Sequence, residues 1–125
     1  MKQIAIYVTE KTDTKTVKKI REYYDNSVTV FIALDDKPGF KPAELQDFSV
    51  VNVASVSFYD RVYLMFLSAE DMKRHHKAKN KKILLVKKAD IIKIGTINLQ
   101  DTEILIEDKK GIREAKNAEL QPLLR

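Results

Sequence analysis

The sequence predicts an α/β fold: a single-domain sandwich starting with a βαβ unit, with a mostly parallel central sheet, a C-terminal β-hairpin and a terminal helix. Two observations carry that expectation. Ile4–Val8 and Val28–Leu34 are nearly continuous apolar runs with an amphipathic stretch between them, and strands buried on both faces read this way. Val62–Leu67 and Ile83–Val86 repeat the pattern later in the chain. With 125 residues, 44% of them apolar, and no Pro/Gly/Ser-rich linker, one domain spanning residues 1–125 can enclose its own core.

Each element has its local reason. Gln3–Val8 is a strand-forming run that ends in the polar Thr9-Glu10-Lys11-Thr12-Asp13 loop. From Thr14 to about Asp25, Val17, Ile20 and Tyr24 recur at i, i+3 and i+7, one apolar stripe on a helix that Asp13 or Thr12 can cap. Residues 35–42, with Pro38-Gly39 as their turn, form a loop, and a short helix is expected over Ala43–Asp47. Phe48–Phe58 is dominated by β-formers. Ser68-Ala69-Glu70-Asp71 resembles a capping box opening a helix toward Asn80, with only Ala69, Met72 and Ala78 as apolar contacts. A hairpin joining Asp90–Leu99 to Glu103–Glu107 is expected next, then a terminal helix over Ile112–Leu124 interrupted at Pro122.

Composition removes several chemistries. The chain has no cysteine, so disulfides, thiolate metal sites and cysteine nucleophiles are excluded. Glycine occurs only at 39, 95 and 111, which excludes both glycine-rich phosphate-binding fingerprints. His75 and His76 are the only histidines; neighbours on a helix point about 100° apart, so they do not share a metal without other ligands. The apolar run at the start is too short for a signal-peptide core and no run approaches a membrane span. A cytoplasmic location without membrane insertion is the expectation.

Charge is the strongest positional signal. Between Met72 and Lys93 nine Lys/Arg face one acid, Asp90, a local net of +8 in a chain whose formal net is +5. Such asymmetry speaks of partners rather than fold. The expected function is therefore a small non-catalytic binding or adaptor module for an anionic partner, nucleic acid before other anionic surfaces. Its contacts would be Lys73, Arg74, Lys77, Lys79, Lys81, Lys82, Lys87 and Lys88. Aromatic residues do not interleave with this segment, and Lys outnumbers Arg 18 to 5 in the chain, which favours contact with phosphates over reading of bases.

Two other readings stay open, neither requiring a cofactor except as stated. Residues following strands line the ligand crevice of open α/β sheets: Thr9, Glu10, Thr12 and Asp13; Asp35 and Asp36; Ser68, Glu70 and Asp71; Lys87 and Lys88. Glu10, Asp35 and Asp36 would hold Mg²⁺ in a phosphate-handling enzyme. Alternatively, the exposed edge of the C-terminal hairpin would pair with another copy in a homo-oligomer. Limited proteolysis is expected to leave one resistant unit covering nearly the whole chain. Rapid cutting into two stable halves would contradict the single-domain reading.

Overall fold

The computed structural model describes residues 2–34, 42–95, 97 and 100–123. In chain order the elements are β1 (Lys2–Val8), α1 (Thr14–Tyr24), β2 (Val28–Leu34), a 3₁₀ turn (Ala43–Leu45), β3 (Ser49–Asn52), α2 (Val53–Val56), β4 (Val62–Phe66) and α3 (Ala69–Arg74). They continue with β5 (Lys82–Lys87), a 3₁₀ helix (Lys88–Lys93), β6 (Thr102–Asp108), β7 (Gly111–Glu114), α4 (Asn117–Leu120) and a final 3₁₀ turn (Gln121–Leu123).

The strands form one sheet in the order β3-β2-β1-β4-β5-β6-β7. All neighbours are parallel except β6 and β7. The expected adjacency of the first, second and Val62–Leu67 strands holds: Ile6 lies beside Ile32 on one side and Met65 on the other. Alternation along each strand sends side chains into two separate cores. Ile4, Ile6, Val8, Ile32, Met65, Leu85 and Leu105 pack with Val17 and Ile20 of α1. Ala5, Tyr7, Leu64, Phe66, Leu84, Val86 and Ile106 pack with Val53, Val56, Met72, Ile91 and Leu123 on the other face. No helix among the described residues is long and apolar enough to cross a membrane.

Local chemistry sets the helix ends. Asp13 caps α1 by accepting from the Lys15 N–H at 3.0 Å. Ser68 caps α3, accepting from the Asp71 N–H at 3.2 Å while its hydroxyl donates to the Asp71 carboxylate at 2.9 Å. α3 stops at Arg74, well short of Asn80. His75 turns inward, its ring edge-on to Tyr7 at 4.7 Å and stacked on Phe66 at 5.8 Å between centroids, so the chain leaves the helix to seat an aromatic side chain.

The end of the chain departs from the sequence expectation. Lys88–Lys93 is a 3₁₀ helix, not a strand of the hairpin: Ile91 is buried and Ile94 packs beside it three residues on, while Ile92 is exposed, a helical rather than an alternating pattern. The hairpin is formed one element later, by β6 and β7, whose turn is closed when Asp108 Oδ1 accepts from the Lys110 N–H at 2.8 Å. Gly111 follows at φ +129°, a conformation that favours glycine. The terminal helix is correspondingly reduced to α4 and one 3₁₀ turn. It is tied down by Arg113, which donates to both carboxylate oxygens of Glu119 at 2.6 and 2.7 Å and to Asp108 at 3.0 Å. β7 is an edge strand of four residues, and β3, equally short, forms the opposite edge.

Among the described residues Asn80 is the buried polar side chain, 1% exposed. Its amide nitrogen donates to three carbonyls, those of Val56 at 3.1 Å, Tyr59 at 2.6 Å and Val62 at 2.8 Å. One side chain thereby fastens the α2–β4 turn to the loop that precedes β5.

Asn80→Leu keeps the volume but removes the hydrogen bonds that link the two loops; the Val56 and Tyr59 carbonyls keep the N–H groups of Tyr59 and Val62 as donors, and each lost hydrogen bond costs about 0.5–1.5 kcal/mol. Thermal denaturation of the variant should show a melting temperature lowered by several degrees. An unchanged midpoint would show that the turn is held by other means.

The Glu119 carboxyl is pushed down to about 2 by its hydrogen bonds from Arg113 and the Lys116 N–H, against an ordinary value of 4.5. A depressed carboxylate contributes stability that is complete above its unfolded value and is lost as pH falls through the folded one. Acid denaturation should therefore include a component between about pH 4.5 and 2 that Glu119→Gln removes. A variant with the same acid profile as the parent would refute the assignment.

Candidate functional sites at the two ends of the sheet

The carboxyl end of the sheet holds the first site. The chain leaves β1 through α1 toward β2, and leaves β4 through α3 toward β5, so connections diverge where β1 and β4 lie side by side. This divergence opens a crevice, here of about 670 Å³. The residues expected there from sequence converge on it: Thr9, Glu10, Thr12 and Asp13 after β1, Ser68, Glu70 and Asp71 after β4, and Lys87 at the end of β5. Its apolar floor includes Val8, Leu67, Val86 and Ile94.

In the loop after β1 three N–H groups are engaged within the loop: Thr9 N–H donates to Thr12 Oγ1 at 2.8 Å, Lys11 N–H to Thr9 Oγ1 at 3.2 Å and Thr12 N–H to the Thr9 carbonyl at 3.1 Å. Arg74, which the sequence placed in the helical basic segment, reaches the crevice instead. Its guanidinium is held protonated more firmly than usual by a hydrogen bond to the buried Tyr7 hydroxyl, and further by Asp71 at 3.8 Å.

A basic groove adjoins the crevice, sharing Asp13, Thr16, Lys87 and Glu107 with it. Lys87 ends β5 and Lys88 follows it, Lys109 and Lys110 form the tip of the β6–β7 hairpin, Lys116 precedes α4, and Lys19 and Arg113 complete the cations. Of the groove's three acids, Glu107 pairs with Lys19 at 3.3 Å and Asp108 with Arg113 at 3.0 Å, while Asp13 caps α1. Nothing in local sequence marks Lys109, Lys110 and Lys116 as neighbours of Lys87, because parallel pairing of β5 with β6 creates that proximity.

The amino end of the sheet holds the second site. Through Asn80, the turn carrying Phe58 and Tyr59 sits against the Lys79–Lys82 loop. Phe58 is 83% and Tyr59 62% exposed, and Arg61, Lys79 and Lys81 beside them are exposed as well. Lys81 Nζ lies 5.9 Å from the Tyr63 ring, which also carries Lys2 Nζ at 4.2 Å. Sequence reasoning missed this aromatic component, since Phe58 and Tyr59 precede the lysines by some twenty residues.

The structure divides the basic segment. β5 separates Lys82 from Lys87 by roughly 16 Å along the strand, so Lys79, Lys81 and Lys82 stand at one end of the sheet and Lys87 and Lys88 at the other. Lys82 is turned inward, donating to the Ala78 and Asn80 carbonyls at 2.8 and 3.2 Å, and burial lowers its pKa. Lys73 reaches the Ile94 carbonyl at 3.5 Å, and Lys77 is exposed. Of the acidic trio considered for Mg²⁺, Glu10 is on the crevice, whereas Asp35 and Asp36 lie outside the described residues. No group of three or more His, Asp or Glu arranged to hold a metal occurs among the described residues. No protein-family model, curated protein or solved structure matches this chain.

Proposed function

We propose that this chain is a binding module for single-stranded nucleic acid, engaged at the amino end of the sheet. The observation that supports the reading is the Asn80 clamp, which joins an exposed aromatic pair to an exposed cationic loop. Bases of a single strand present π-faces that stack on Phe58 and Tyr59, while Arg61, Lys79 and Lys81 neutralise its phosphates. A duplex hides those faces, so single strands are the better match. Lys82, committed to backbone carbonyls, takes no direct part. The contacts read no base edges, and recognition is tolerant of sequence.

Fluorescence anisotropy with a labelled oligonucleotide tests the proposal. Affinity for the single strand should exceed that for the duplex and fall linearly with log[salt]. Phe58→Ala and Tyr59→Ala should each weaken binding by about tenfold, since stacking contributes about 1–3 kcal/mol per base. Lys79→Glu and Lys81→Glu should flatten the salt slope by about one or more each. Lys15→Glu and Lys18→Glu on α1 serve as controls. Equal losses from both lysine pairs would mean general attraction to a basic chain, and absence of binding at about 50 mM salt would overturn the reading.

A further inference from the structure

We infer that the carboxyl end of the sheet is a separate site for a small molecule that joins several phosphates to a hydroxylated head, with the phosphates in the basic groove and the head in the crevice. The inference stands independently of the nucleic-acid reading. It rests on unspent charge. Lys87, Lys88, Lys109, Lys110 and Lys116 form no ion pair among the described residues, while the groove's Glu107 and Asp108 are paired to Lys19 and Arg113. Five ammonium groups from three segments line one groove. A compact polyanion meets several of them at once, whereas a single phosphate meets fewer.

The crevice supplies the complementary half. Its volume of about 670 Å³ lies within the range of small-molecule sites, about 300–1,000 Å³, and its apolar floor with convergent polar groups is their usual composition. Thr12, Ser68, Glu70 and Asp71 offer oxygen acceptors to sugar or ring hydroxyls. Arg74, hydrogen-bonded to Tyr7, lines the same crevice. Lys87 borders both spaces and is placed to meet the phosphate nearest the head. Phosphate recognition by the lysines of the groove makes affinity depend steeply on salt.

Isothermal titration calorimetry with adenosine 5′-triphosphate, inositol hexakisphosphate and inorganic tripolyphosphate, each without added metal, tests the inference and separates the two sources of such a ligand. A nucleotide or an inositol phosphate should bind at least tenfold more tightly than tripolyphosphate. Lys88→Glu and Lys110→Glu should weaken all three ligands by tenfold or more. Glu70→Gln and Arg74→Ala should erase only the advantage of the headed ligand over tripolyphosphate. Lys79→Glu and Phe58→Ala, at the opposite end, should change nothing here, which keeps this site distinct from the proposed nucleic-acid surface. Tripolyphosphate binding as tightly as either headed ligand would remove the head pocket, and failure of all three to bind would overturn the site altogether. Lys87→Ala, an exposed substitution, checks any variant that melts early: unchanged affinity for every ligand would also count against the site.

Discussion

Burial of β1 on both faces is the constraint from which the rest follows. Ile4 to Val8 are at most 1% exposed, and a strand with no solvent face must have neighbours along both edges and a layer above and below. β2 and β4 meet the first requirement, α1 and the α2–α3 side the second. The connections must then run to opposite sides of β1. That divergence leaves a crevice at the carboxyl end that side chains line but do not fill. The site is a by-product of covering the central strand.

The same geometry turns one basic stretch into two chemically different surfaces. β5 runs through the middle of the lysine-rich segment with Ile83 to Val86 buried, so its flanking lysines emerge at opposite ends of the sheet. At the amino end they meet an aromatic turn. At the carboxyl end they meet a hairpin tip. Asn80 is central to the first arrangement, because the carbonyls of Val56, Tyr59 and Val62 all converge on its amide. A polar side chain here trades desolvation for a fixed spatial relation between two loops.

The two surfaces differ in what they can recognise. The amino-end surface sets exposed rings beside exposed lysines, the combination on which the proposed binding of a polymer of flat bases and phosphates rests. The carboxyl-end concavity is lined from several elements, its Glu107 and Asp108 are paired to Lys19 and Arg113, and its Arg74 is hydrogen-bonded to the buried Tyr7. Preorganised groups of that kind lose less freedom on binding and favour one ligand shape over others. Charge alone does not separate these cases; enclosure and aromatic content do.

Local pattern by itself determined the α/β class, the βαβ start, α1 and the Ser68 cap of α3, because these depend on neighbours within about four residues, and the structure chose Asp13 over Thr12 as the α1 cap. Local pattern also determined which residues would gather at the carboxyl ends, since Thr9, Glu10, Ser68, Asp71 and Lys87 each follow a legible apolar run. The C-terminal hairpin was misplaced for a physical reason: Asp90–Leu99 has strand-like composition, yet among its described residues Ile91, Ile94 and Ile97 turn toward the core at helical spacing, and propensity yields to packing in so short a stretch. Tertiary structure alone decided the pairing of β5 with β6 that brings Lys109 and Lys110 to Lys87, the path of Arg74 to Tyr7, and the meeting of Phe58 and Tyr59 with the lysine loop. Each of those contacts joins segments whose proximity is set by strand order, and strand order is a property of how two cores are covered at once rather than of any local pattern.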